Sequence, residues 1–229
     1  MKTSRISAET GYVLHTRPYR ESSLLLDVFT PHYGRISLVA RGARNSQSNK
    51  KNNPLQLFTG YHFSWMGKSE LYTLTQAEPQ GAAHLFSPYQ LCCGLYINEL
   101  LLRVLNREDP HVDLYIAYQK LLSDLIADQN TQISLRIFEY HLLQNMGYGF
   151  ALEHIEPEEY YLFKPLEGFI LIKQKTEKIQ HHIFSGESLV ALSHQILQEK
   201  HLSEIKRLMR LALSPLIGEK PLRSRELFI

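Results

Sequence analysis

The 229-residue chain has only two cysteines, adjacent at Cys92 and Cys93 inside an apolar run. Neighbours there do not readily bridge one another, and two cysteines fall short of a four-cysteine metal site. Buried free thiols in a reducing cytoplasm are the expectation. No apolar run reaches bilayer-spanning length, and the opening M-K-T-S-R-I-S-A-E-T lacks a hydrophobic signal region. H-x-x-x-H, H-E-x-x-H and C-x-x-C spacings are missing, as are G-x-S-x-G, a Walker loop and G-x-G-x-x-G. Gly147-Tyr148-Gly149 follows a helical pattern and so lacks the context of a phosphate loop. The absence of any assembled site argues against an enzyme, and no metal or cofactor is expected.

Carboxylates are missing from one long stretch. Between Val28 and Ser69 there are six Lys or Arg residues (35, 41, 44, 50, 51 and 68) and no Asp or Glu. The segment 33–54 starts as a strand and dissolves into a polar loop carrying Arg41, Arg44, Lys50 and Lys51. A flexible basic loop on a rigid strand is a device for holding a phosphate backbone. A solvated surface loop is the plainer alternative. The whole-chain charge of +2 conceals an asymmetry: residues 1–80 carry ten Lys/Arg against five Asp/Glu, and residues 81–229 carry fifteen against eighteen. That split places a boundary near Pro79 and divides the chain into domains 1–80 and 81–229. At 44% hydrophobic and 21% charged residues, the composition is that of an ordinary globular protein with enough length for a real core.

Taken in order, the chain reads as α+β. Strands are expected at 11–16, 22–30 and 34–41. After the basic loop, residues 55–65 keep a period of two, and 70–76 follow beyond a turn at Met66-Gly67-Lys68. Five strands in about seventy residues suggest a small closed barrel, with an OB-fold leading and an SH3-like barrel possible. The pattern then becomes helical: 88–106 is apolar on almost every side, and a second helix follows Asp109-Pro110. A third helix is expected over 131–146, stopped by Gly147. Residues 150–184 carry an acidic group (Glu153, Glu156, Glu158, Glu159) and read as a small β-ribbon. Helices over 189–200 and from about 203 close the chain, with Pro215 ending or kinking the last.

Eleven histidines invite a metal reading, but the closest pair, His181-His182, would point to opposite faces of a strand and chelate poorly. Tyr61, Phe63 and Trp65 share one strand face. They suit base stacking, but their strict alternation suits barrel core as well, which is the weightier reading. Tyr19, Tyr33 and Tyr72 look better placed for an outer face.

Several local strings together resemble the bacterial DNA-repair mediator family RecO: G-Y-V-L-H-T-R-P-Y-R-E-S-S-L-L-L-D-V-F-T (11–30), G-R-I-S-L-V-A-R-G-A-R (34–44), L-Y-I-N-E-L-L-L-R-V-L (95–105), M-G-Y-G (146–149) and K-P-L-R-S-R-E-L-F (220–228). Each is weak alone; jointly, in the family's order, they are specific. The resemblance implies an N-terminal OB-fold, a helical domain and a non-enzymatic role. That role is binding single- and double-stranded DNA, annealing complementary strands and, with RecR, helping RecA load onto DNA coated by single-strand-binding protein (SSB). Many members carry a four-cysteine zinc site after the M-G-Y segment. Residues 150–184 have no cysteine, so the chain resembles the zinc-less branch, in which packing must hold the ribbon.

On this reading Arg17, Arg20, Arg35, Arg41, Arg44, Lys50 and Lys51 contact phosphates without reading bases. Lys206, Arg207, Arg210, Arg223 and Arg225 are candidates for a second basic surface that offsets strand repulsion. The resemblance also implies docking of the acidic SSB tail, for which Lys120 and Arg136 are the candidates. The rival readings are a protein-only adaptor working through its helical domain and an RNA-binding barrel, the latter preferring RNA over DNA.

Overall fold

The computed structural model describes residues 4–44, 55–67, 71–81, 85–127, 130–172 and 177–228. Five strands form a closed barrel in the order β1-β2-β3-β5-β4: β1 (Ser4–Tyr19), β2 (Ser23–Thr30), β3 (Gly34–Ala40), β4 (Gly60–Gly67) and β5 (Leu71–Pro79). β3 and β5 pair in parallel and the other neighbours are antiparallel. This is the expected OB-fold barrel. β1 runs 16 residues, far longer than the alternation alone indicates, because it serves two partners. Its first part pairs with β4 and its second with β2, with register shifts between Ile6 and Glu9 and between Val13 and His15. Such bulges bend a strand and let a small sheet close on itself.

Val13, Leu26, Val28, Ile36, Leu38, Tyr61, Phe63 and Trp65 fill the barrel. The three aromatic residues of β4 are thus core. β2 is buried almost throughout, not on one face alone, because its outer side is covered too. Phe29 packs edge-on against Tyr115, with ring centroids 5.4 Å apart.

The fourth strand starts later than its pattern predicts. Phe58 adopts φ 63° and breaks the extended run, leaving Leu57 as a single bridge to Val13. The break aims the Phe58 ring at Gly94 of α1 (Pro88–Val104), where an added Cβ would stand 2.8 Å from it. Glycine is required there by that close approach. α1 begins at a capping box between Ser87 and Gln90, with Pro88 in its first turn, and is buried on most sides.

The remaining elements are α2 (Val112–Ile126), α3 (Thr131–Asn145), β6 (Tyr160–Lys164), β7 (Gly168–Ile172), β8 (Ile183–Ser185), α4 (Gly186–Ser193) and α5 (Glu199–Ile217). β7-β6-β8 form the small sheet expected of the ribbon. His181 and His182 lie in a 3-10 turn, Glu177–His182, and not in the strand assumed for them. The sheet is held by rings: Phe163 lies 5.5 Å from Phe150, 5.0 Å from Phe169 and 6.2 Å from Phe184. The helix expected over 189–200 is instead two pieces. α4 stops before Gln195, at φ 57°, and α5 starts at Glu199, with Pro215 inside its last turn.

By packing, the chain forms two compact units, Met1–Ile116 with Leu222–Ile229 and Ala117–Pro221. The shift in charge near Pro79 coincides with the end of β5, while α1 and the C-terminal 3-10 turn Arg223–Phe228 pack with the barrel. No helix among the described residues is long and apolar enough to cross a membrane.

Candidate nucleic-acid interface

Four of the anticipated arginines converge at one end of the barrel. Arg17 projects from β1 opposite Leu25 of β2, which in turn pairs with Val39 of β3. Arg41 leaves β3 just past Ala40, the partner of Leu24. Arg20 sits in the β1–β2 turn at φ 52°, its guanidinium 5.2 Å from the ring centroid of Tyr19. The chain after β3 is clipped to that turn: the Arg44 amide donates to the Ser22 carbonyl at 2.9 Å, and its Nη1 donates to the Arg20 carbonyl at 3.2 Å. Arg17, Arg20, Arg41 and Arg44 are all exposed. None of the four has a carboxylate partner among the described residues. Glu21, in the same turn, is the one acid in this stretch and is itself exposed. His15 shares the outer side of β1 with Arg17 and is also exposed, a neighbour that charge counting passes over.

Arg35 is set apart. Its Nη1 donates to the Leu102 carbonyl of α1 at 2.5 Å, and its backbone carbonyl accepts the Glu108 amide at 3.0 Å. Burial lowers its pKa from the ordinary value, Asp27 opposes that shift and Arg107 adds to it. It braces the barrel against α1. Lys50 and Lys51 lie outside the described residues.

The second group divides between the two units. Lys206 and Arg210 are exposed on α5, and Arg223 and Arg225 are exposed on the C-terminal 3-10 turn. Arg207 is occupied: it donates to the Ile183 carbonyl at 2.7 Å, stacks 4.9 Å over Phe184 and pairs with Glu204 at 3.7 Å. The two residues considered for an acidic tail are engaged as well. Lys120 pairs with Asp124 at 3.1 Å, and Arg136 is buried against fully buried Glu139 at 2.9 Å. Arg136 is enclosed with its partner, whereas Lys120 keeps most of its side chain exposed beside Asp124.

Among the described residues no group of three or more His, Cys, Asp or Glu could hold a metal ion. The arginine end carries several exposed cations on the barrel sheet, with the Tyr19 ring among them.

Comparison with known proteins identifies the family. Residues 1–82 match the family model "Recombination protein O N terminal" and residues 85–155 match "Recombination protein O C terminal". The "DNA repair protein RecO" of Coxiella burnetii (strain RSA 331 / Henzerling II) is 40% identical, over 98% of this chain and 99% of its own. That of Aliivibrio salmonicida is 40% identical over 95% and 93%, and that of Vibrio parahaemolyticus 41% over 99% and 96%. A closed five-stranded barrel followed by helices, matched end to end at this identity, places the chain in the RecO family of DNA repair proteins.

Proposed function

We propose that this protein is a non-catalytic recombination mediator. It binds single- and double-stranded DNA through the barrel-bearing domain 1–80, anneals complementary strands and, with RecR, helps RecA load onto SSB-coated single strands. The observation that carries the reading is the set of Arg17, Arg20, Arg41 and Arg44, exposed together at one barrel end without acidic partners among the described residues. Guanidinium groups held this way neutralise phosphates and leave base edges unread, which is what a sequence-tolerant annealer needs. Lys50 and Lys51, which follow Arg44 in the sequence, are further candidates for phosphate contact. Membership of a family whose relatives are named DNA repair proteins supports the reading. Lys206, Arg210, Arg223 and Arg225 remain the candidates for binding a second strand. Docking of the SSB tail rests on the family alone; of Lys120 and Arg136, the exposed Lys120 is the candidate for its rim.

The test reverses charge at Arg41, Arg44, Lys50 and Lys51 together and measures anisotropy of a labelled single-stranded oligonucleotide. Single-strand affinity should weaken, and its logarithmic salt slope should flatten by roughly 0.7 for each phosphate no longer neutralised. Unchanged binding at low salt would remove this surface from the mechanism. Annealing assays on bare and SSB-coated strands then separate a mediator from a protein-only adaptor.

A further inference from the structure

The barrel end remote from the arginines holds a cavity of about 210 Å³. β2 runs from Ser23 at the arginine turn to Thr30 beside this cavity, eight residues, a span of roughly 25 Å. Three rings line the cavity: Tyr33 from the β2–β3 turn, Trp65 from β4 and Tyr72 from β5. Tyr33 and Trp65 meet edge to face, centroids 5.3 Å apart and planes at 87°, and so form two adjacent walls. The Tyr72 ring is 6.4 Å from Trp65. Glu108 stands at the same cavity and accepts a hydrogen bond from the Tyr72 hydroxyl at 2.9 Å. Burial, then Glu108, push that hydroxyl above its ordinary pKa. His32 also lines the space and is held by Glu9 at 2.9 Å, and Asp109 follows Glu108, exposed. Among the described residues no Lys or Arg lines the cavity.

Aromatic rings and a carboxylate at one cavity favour a cation. A phosphate would meet Glu108 with no Lys or Arg among the described lining residues to offset the repulsion. The volume lies below the roughly 300 Å³ at which drug-sized ligand pockets begin, which points to the head of a side chain. Met66 and Leu71 are exposed at the ends of β4 and β5 nearest to it, giving the surface apolar ground for a protein partner. We propose that this cavity receives a lysine or arginine side chain presented by a partner protein, at the opposite pole of the barrel from the DNA-contacting arginines.

Trp65, buried at the back of the cavity, is the only tryptophan in the chain, so its fluorescence reports on changes at Tyr33 and Tyr72 beside it. The full-length protein is titrated with Ac-Gly-Lys-Gly-NH2, its arginine counterpart and a norleucine counterpart of the same shape without charge, at matched ionic strength. The cationic peptides should give a saturable change at roughly five- to thirtyfold lower concentration than norleucine, the range of a cation over aromatic rings. Glu108→Gln should remove most of that preference, and Tyr33→Leu, which keeps bulk but loses the ring, should do likewise. Both variants should bind oligonucleotide as the parent does, so this outcome is separable from the DNA reading. Equal responses to lysine and norleucine peptides, or a preference unmoved by either variant, would overturn the proposal. So would displacement of the lysine peptide by oligonucleotide, which marks a base pocket. Binding of tetramethylammonium with no binding of either cationic peptide would also overturn it, in favour of a free cation.

Discussion

Glu99 of α1 holds Ser224 from the far end of the chain. One carboxylate oxygen accepts the Ser224 amide at 2.8 Å and its hydroxyl at 2.7 Å, and the other accepts the Arg223 amide at 3.0 Å. Leu222, just before this clasp, is buried, and the clasp docks the C-terminal turn on the barrel-bearing unit. Glu99→Ala strips the charge from three donors at once and should destabilise the protein by about 2–3 kcal/mol, read from urea unfolding. An unchanged unfolding midpoint would show that the turn stays docked without it.

The same clasp sets an acid dependence. Burial alone would raise the Glu99 carboxyl, but the Ser224 and Arg223 donors and the charge of Arg103 outweigh it and hold the group below its ordinary 4.5. A lowered folded-state pKa contributes stability above the unfolded value and loses it as pH falls through the folded one. The stability gap between the parent and Glu99→Gln should therefore be full at about pH 6 and shrink below about pH 4.5. Thermal unfolding across that range is the check.

Arg41 and Arg35 sit six residues apart and should behave oppositely. Arg41→Ala should flatten the single-strand salt slope by roughly 0.7 and shift stability by no more than about 0.5 kcal/mol. Arg35→Ala should leave the slope alone and cost about 1.5–3 kcal/mol, since the Leu102 carbonyl loses a charged donor. Paired anisotropy and unfolding measurements on both variants decide it.

Gly34 turns β2 into β3 at φ 62°, and a Cβ there would lie 2.1 Å from the Asp109 carbonyl oxygen. Gly34→Ala combines a left-handed backbone with a backbone clash and should cost about 2–4 kcal/mol, measured by denaturant unfolding. A loss under about 0.5 kcal/mol would mean that the 106–111 segment moves away freely.

Within the second unit, Glu139→Gln leaves Arg136 buried beside a neutral group and should cost about 3–5 kcal/mol. Arg136→Met with Glu139→Leu should recover much of that loss, because two apolar groups need no charge compensation. A double variant as unstable as the single one would point to a further partner for the pair.

Legibility differed by element. The alternation through Leu24, Leu26 and Val28 and through Tyr61, Phe63 and Trp65 marked the barrel interior, since a period of two is a local property of the chain. Residues 55–59 kept the same alternation yet left the sheet, because Phe58 finds its place on Gly94, an approach that no local pattern encodes. Residues 189–200 kept a helical pattern yet broke at Gln195.

Charge count, strand alternation, helix caps and the missing carboxylates of 28–69 belong to the chain as written, because each depends on neighbours a few residues away. Which arginines stay solvated does not. Arg35 is spent on a carbonyl 67 residues on, Arg207 on one 24 residues back and Arg136 on a buried carboxylate, whereas Arg17, Arg20 and Arg41 stay exposed, as does Arg44 with one guanidinium nitrogen on the Arg20 carbonyl. A guanidinium is left solvated or becomes a brace for its own fold according to what packs beside it, and only the folded chain settles that.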